Sequence, residues 1–148
     1  MVASRHRAIV VVHLLVSHRG AQGDELLLLR RPAVGVAGGL WAPPGGHLEG
    51  GETPMRAALR ECREELGVVL SGPLEPRALL VYDDDGDAGF NLVFHGRLER
   101  RATLVPDPAA ASDARYWPRT ALPEDRVPWL DAALAAGASP KAPWYAEP

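Results

Sequence analysis

Both ends of one helix are written into the run from Gly45 to Val68, directly after a turn rich in proline and glycine. Thr53 is a good N-cap, Pro54 suits the first helical position, and Gly67 can adopt the left-handed conformation that stops a helix. The spacing predicts a helix over about 54–66. Met55, Leu59, Cys62 and Leu66 recur at i, i+4, i+7 and i+11 and form one apolar stripe. Glu61, Glu64 and Glu65, at i, i+3 and i+4, gather on a different face. The stripe anchors the helix to a core and leaves the carboxylates facing a cleft.

Carboxylates that close repel one another, at a cost of about 0.2–0.5 kcal/mol for like charges at i, i+4 even on an exposed helix. A surface helix gains nothing from this arrangement. A hard divalent cation relieves the repulsion, because magnesium and manganese prefer oxygen ligands and magnesium commonly combines a few carboxylates with water and phosphate oxygens. Upstream, Pro43-Pro44-Gly45-Gly46 permits a sharp turn that exposes its backbone at close range. The expected occupant is Mg²⁺, with Mn²⁺ as the alternative, bridging the chain and a polyphosphate.

Written out, the pattern is Gly46, five residues, Glu52, seven residues, then Arg60-Glu61-(apolar)-x-Glu64-Glu65-x-Gly67-(apolar), with Cys62 filling the first apolar slot. At an average usage of about 6–7% per residue type, seven such positions coincide by chance roughly once in 10⁸ starting points. An acidic solvated helix is therefore a poor account of it. The run resembles the signature of the Nudix hydrolases at every position. A looser likeness extends through Gly39-Leu40-Trp41 before it and Trp117, Leu122-Pro123 and Val127-Pro128 after it.

That resemblance implies an α/β fold, an α/β/α sandwich around a mixed β-sheet, with a catalytic loop and helix at about 45–68. It implies the backbone carbonyl of Gly45 as a metal ligand beside Glu61, Glu64 and Glu65. It implies pairing of Glu52 with Arg60 to brace the loop against the helix, Glu52 reaching the metal through water in some members. The expected activity is Mg²⁺-dependent pyrophosphohydrolysis of a nucleoside diphosphate linked to another group, foremost a nucleoside or deoxynucleoside triphosphate cut to monophosphate and pyrophosphate. ADP-ribose, dinucleotide polyphosphates and nucleotide sugars are alternative substrates, and a nucleotide-sensing module without hydrolysis is a second alternative. The sensor reading is disfavoured because every motif carboxylate is present. Homodimers are common among similar proteins. One departure stands out: where many similar chains carry Glu-Pro-x-Lys before the late tryptophan, this one has Asp107-Pro108-Ala109-Ala110.

With 148 residues, the chain is expected to form a single domain over 1–148, with about 138–148 as a tail. A net charge of −3 offers no electrostatic footprint for polymeric nucleic acid or an anionic membrane. A single cysteine leaves no intrachain disulfide, and Cys62, on the apolar stripe, reads as a buried inert thiol. The expected compartment is cytoplasmic. Residues 8–16 are apolar but too short to span a bilayer and lack a cleavage site, so they read as a buried strand, with His13 as a core or sheet-face histidine.

Further strands are expected at 25–31, 40–42, 78–82, 89–98 and 114–117, a turn at 17–24, a hairpin turn at 83–87 and a helix at 128–136. Alternation in the 89–98 strand puts Phe90, Leu92, Phe94 and Leu98 on one face and Asn91, Val93, His95 and Arg97 on the other, leading on to Glu99. If the polar face lines the cleft, His95 or Glu99 approaches the metal. Arg30 or Arg31, at the end of the second strand, is placed to hold phosphate. Trp41, Phe90, Phe94, Tyr116 and Trp117 are candidates for stacking on a base, a contact worth about 1–3 kcal/mol.

Overall fold

The computed structural model describes residues 5–35, 37–136, 138 and 144–146. In chain order the elements are β1 (Val10–Gly20), β2 (Gly23–Arg30), β3 (Trp41–Ala42), β4 (Gly45–His47), α1 (Pro54–Leu66), β5 (Glu75–Asp84), β6 (Asp87–Leu98), β7 (Asp113–Pro118), α2 (Leu130–Ala135) and β8 (Tyr145–Ala146). The strands make a mixed sheet in the order β3-β2-β1-β6-β5-β8, with β4 paired to β1 and β7 to β2. The central β1–β6 pair is parallel, whereas β1–β2 and β5–β6 are antiparallel hairpins.

A strand covered on both faces must be apolar at every position, which is why β1 and β2 read as nearly continuous hydrophobic runs. Val12, Leu14 and Val16 of β1 join Leu27 and Leu29 of β2 beneath Ala57, Ala58, Cys62 and Leu66 of α1. On the opposite face, Leu15, Leu26, Leu28 and Val93 pack with Leu130 and Ala133 of α2 and with Trp41. These two cores are the two inner boundaries of an α/β/α sandwich. Among the described residues no helix is long and apolar enough to cross a membrane.

Helix α1 runs over the expected residues: Thr53 accepts from the Arg56 N–H at 3.4 Å, and Gly67 stands at φ 69°, left-handed, with its N–H on Arg63 O. The buried stripe is shifted, however. Met55 is exposed, and the core takes Ala57 and Ala58 instead, because two alanines let the first turns of the helix sit close to the sheet. Two hairpins are tighter than expected, since ladder pairing continues to Gly20↔Gly23 and Asp84↔Asp87. At the second tip, Asp85 and Gly86 both have positive φ, and Asp83 Oδ1 accepts the Gly86 N–H at 2.7 Å, so the aspartates shape a turn. Helix α2 begins only at Leu130, because Val127 is tied back to Trp41 by its N–H. Most of the expected tail lies outside the described residues, but Tyr145–Ala146 adds a parallel strand at Leu79–Leu80.

Candidate active site

Strand β4 was not foreseen, and it carries the site. Gly46 and Gly45 pair with Val12 and His13 of β1, so the glycine turn is held by the central strand of the sheet. A side chain at Gly45 would drive its Cβ into the Val12 carbonyl and the His13 ring, and one at Gly46 would lie 2.5 Å from Glu61 Oε1. Both glycines are required by close approach: one lets β4 lie on β1, the other lets a carboxylate of α1 lie on β4.

Arg60 organises the outer part of the cluster. Its Nε donates to Glu52 Oε2 at 3.0 Å and its Nη2 to Glu52 Oε1 at 2.8 Å, a two-pronged pairing. Nη2 also reaches the His47 carbonyl at 3.2 Å, while Nη1 donates to Glu61 Oε1 at 3.0 Å and Glu64 Oε2 at 3.1 Å. Glu49 lies 3.6 Å from Nη1. The Arg60 hydrogen bonds, joined by the Glu49 N–H, hold Glu52 below the usual carboxylate range. Reciprocally, the bonds to Glu52 and then to Glu61 raise the proton affinity of the guanidinium.

Glu65 is different in kind. It is only 6% exposed, and its Oε2 accepts the Gly45 N–H at 3.3 Å. Burial, reinforced by the adjacent Glu61 carboxylate, pushes its carboxyl up to about 8, against the pull of the Gly45 N–H and the Arg31 charge. A glutamate buried beside another glutamate is expensive without a cation. Behind it, Val105 and Asp107 donate their N–H groups to the carbonyls of Leu66 and Glu65 at 2.8 and 2.9 Å. The Asp107-Pro108-Ala109-Ala110 segment thus secures the end of α1 with backbone, and residues 102–114 bring no Lys or Arg to the cluster.

Among the described residues no three His, Cys, Asp or Glu side chains converge as a finished metal cage. Glu61 and Glu65 converge as a pair, while Glu64 is half-exposed and held by Arg60. Two carboxylates beside a glycine turn without side chains fit a magnesium-type ion, which takes one or two carboxylates and fills its remaining positions with water and substrate phosphate.

The substrate candidates separate. Arg30 is occupied, donating to the Gly39 carbonyl at 3.0 Å and to Asp125 at 3.2 Å. Arg31 is half-buried; its backbone bonds to Leu40 and Gly39, while its guanidinium, among the described residues, makes no hydrogen bond or ion pair, yet its charge is felt by both Glu65 and His13. Trp41 is 3% exposed and packs edge-on against Trp117, so it belongs to the core and offers no face for stacking. Phe94 is likewise buried; Phe90, Tyr116 and Trp117 are half-buried, with the Tyr116 ring under Arg101. His95 is engaged by Ser17 at 2.7 Å and lies 3.7 Å from Glu75. Glu99 follows the end of β6, six residues past Val93, the β6 partner of His13, and at about 3.3 Å per residue that is roughly 20 Å away. Glu99 is thus carried toward the far end of the sheet, because β6 runs parallel to β1, whereas His95, two residues past Val93, is held by Ser17.

One pair escaped the sequence reading. His13 Nδ1 lies 2.8 Å from Asn91 Oδ1, and the His13 ring packs against Trp129 with centroids 4.6 Å apart. Burial, despite the bond to Asn91, pushes this imidazole down to about 4, so it is neutral at physiological pH. The available signal was strand parity, which puts Asn91 and Val93 on one face, but nothing local tells that β1 lies beside β6.

Comparison with known proteins agrees with this geometry. The NUDIX domain family model matches residues 4–137. The 8-oxo-dGDP phosphatase NUDT18 of Homo sapiens is 33% identical over 105 residues, covering 70% of this chain and 31% of that protein. The 8-oxo-dGTP diphosphatase of Proteus vulgaris is 44% identical over 45 residues, 30% of this chain and 40% of that protein. The chain thus spans about a third to two fifths of the length of these relatives. Among solved structures, a MutT NUDIX hydrolase from Burkholderia pseudomallei superposes with a TM-score of 0.73 at 21% identity, over 87% of this chain and 97% of that one. The glycine turn on β1, the arginine-braced loop and the buried glutamate of α1 all fall within the matched domain, and the chain belongs to the Nudix family.

Proposed function

We propose that this chain hydrolyses a diphosphate linkage in a nucleotide, foremost a nucleoside or deoxynucleoside triphosphate, giving the monophosphate and pyrophosphate. The observation that carries the reading is Glu65, a carboxylate buried against the Gly45 N–H with Glu61 alongside. The activities for which the two relatives are named, on oxidised deoxyguanosine di- and triphosphates, support a nucleotide substrate.

In this reading Glu61, Glu65 and the Gly45 carbonyl would hold a divalent cation, Mg²⁺ or Mn²⁺, with Glu64 as a further ligand. Such a cation would supply neutralisation of phosphate charge and a more acidic water. The chain's own groups do the rest. Arg31 binds a phosphate oxygen and orients the diphosphate along the turn. The β4 backbone, fixed on β1, sets the distance between phosphate and α1. Arg60 and Glu52 keep the loop from drifting, which matters because a misplacement of about 1 Å can cost about a hundredfold in rate. A water oxygen attacks phosphorus, its proton passes to one of the motif glutamates, and the anhydride P–O bond breaks as pyrophosphate leaves.

The test is a released-phosphate screen with Mg²⁺, coupled to pyrophosphatase or phosphatase, over nucleoside triphosphates with ordinary and oxidised bases, ADP-ribose, dinucleotide polyphosphates and nucleotide sugars. The Glu64→Gln protein serves as blank. The expected result is turnover of a triphosphate that the variant loses. Turnover confined to another class would reassign the substrate, and no turnover by a folded, cation-binding protein would sink the hydrolase reading.

A further inference from the structure

The face of the sheet that meets α2 is apolar around Leu15, Leu26, Leu28, Val93 and Leu130, yet it holds two hydrogen-bonded polar pairs, Ser17 with His95 toward the far end and His13 with Asn91 beside the glycine turn. Asn91 is 4% exposed and lies one strand from His13, which is the register partner of Gly45 in the glycine turn. A buried amide against a half-buried imidazole is costly unless the hydrogen-bonding groups are used. Only one link between them is made within the chain: in the neutral ring, Nδ1–H donates to Asn91 Oδ1 at 2.8 Å. With Asn91 Oδ1 facing the ring, the proton of the neutral imidazole is assigned to Nδ1. This assignment leaves the second ring nitrogen, Nε2, as an acceptor and the Asn91 Nδ2 group as a donor, and among the described residues neither has a protein partner. Neither atom is sealed, since the one fully buried side-chain polar atom without a partner, among the described residues, is Trp117 Nε1. Trp129, half-buried, packs on the imidazole and keeps it from turning.

We propose that His13 and Asn91 read the nucleobase of the substrate, His13 Nε2 accepting from a base N–H and Asn91 Nδ2 donating to the neighbouring ring nitrogen or carbonyl. The inference rests on the nucleotide-hydrolase reading and names the part of the site that sets its specificity. Three features locate the base here. The pair adjoins Gly45, so a nucleotide whose diphosphate lies on the glycine turn extends its base across β1. Arg31 acts electrostatically on both His13 and Glu65, which places the phosphate end and the base end on either side of one cation. An adjacent donor and acceptor match an unmodified pairing edge and reject one alkylated there, because a blocked edge leaves buried groups unpaired.

The test uses binding as well as turnover. Nucleoside monophosphates and ribose 5-phosphate are titrated into the full chain while the ring nitrogens of His13 are followed by ¹⁵N NMR. The expected result is a shift of the Nε2 resonance with monophosphates and none with ribose 5-phosphate; the same response to both, or to neither, overturns the proposal. In parallel, the double variant His13→Phe with Asn91→Leu replaces both partners by apolar groups of similar shape, an exchange that can be nearly neutral for folding. The preference between the best and worst base, as a ratio of kcat/KM, should fall about tenfold or more. An unchanged ratio in a folded double variant would show that the pair is structural. Should no nucleotide be hydrolysed, the hydrolase reading fails while the NMR titration still decides whether these residues meet a base.

Discussion

Of the arginine–glutamate clusters among the described residues, the ones around Glu25 and Arg60 make a contrast: only the first is balanced. At the far end of β2, Glu25 accepts from Arg101 Nε at 2.9 Å and pairs with its Nη2, and His18 Nδ1 stands 3.1 Å away. The Arg101 guanidinium also covers the Tyr116 ring at 5.0 Å. Those contacts hold Glu25 below the usual carboxylate range, first through Arg101. One carboxylate meets one cation, and the cluster is complete as it stands. At the head of α1, by contrast, Arg60 faces Glu49, Glu52, Glu61 and Glu64 together, and Glu65 sits buried beyond them. The charge is unbalanced toward the side where Gly45 lies buried against Glu65. A surplus of buried negative charge is not a stabilising device, so the difference separates a brace from a binding site.

Exchanging the key carboxylate in each cluster should split the two most widely. Glu65→Gln is expected to lower kcat by about a hundredfold or more, the scale of a lost acid–base or ligating group, with the fold retained by circular dichroism. Glu25→Gln should change kcat less than about threefold while lowering the melting temperature by a few degrees. Comparable losses of activity in both proteins would erase the distinction.

Gly46→Ala places a methyl group against the Glu61 carboxylate and should lower kcat/KM about tenfold, whereas Gly50→Ala, with nothing within 4 Å, should be neutral. Steady-state kinetics on the pair measures how tightly the carboxylate is set against the turn. A cation should also act on one cluster only. Saturating Mg²⁺, at about 100 times its Kd, stabilises a protein by about 2.7 kcal/mol, so wild type should melt several degrees higher with Mg²⁺ than with EDTA. Loss of that increment in Glu65→Gln and its survival in Glu25→Gln would tie the ion to α1.

The smallest effect concerns Cys62, which lies under α1. Burial, aided by the Glu65 charge, pushes its thiol up to about 12 from 9.0. With the folded pKa above the unfolded one, the contribution is fully present below pH 9 and is lost as pH rises toward 12. Between pH 8 and pH 10 wild type should therefore lose about 1.4 kcal/mol more than Cys62→Ala in urea unfolding. Equal slopes would show the thiolate to be tolerated and the core beneath the site to be wet.

What could be read in advance was local. The limits of α1, its caps and the clustering of Glu61, Glu64 and Glu65 follow from residues within one or two helical turns, where geometry is set by a 3.6-residue period. The pairing of Glu52 with Arg60, eight residues apart, came from likeness to a family signature. The stripe departs at Met55, which is exposed while Ala57 and Ala58 are buried, because periodicity names an apolar face but not how closely a helix approaches the sheet.

The sequence by itself determined a glycine turn, a capped helix and an excess of carboxylates on one of its faces, because each depends on backbone preferences and side-chain spacing over a few residues. Only the tertiary structure decided that Glu65 is buried while Glu64 is half-exposed, that Arg31 is open where Arg30 is occupied, and that His13 meets Asn91 across 78 positions. Those outcomes depend on which strands lie side by side and which layer covers them. Strand pairing is settled by the packing of the whole sheet, so no short stretch of sequence contains it.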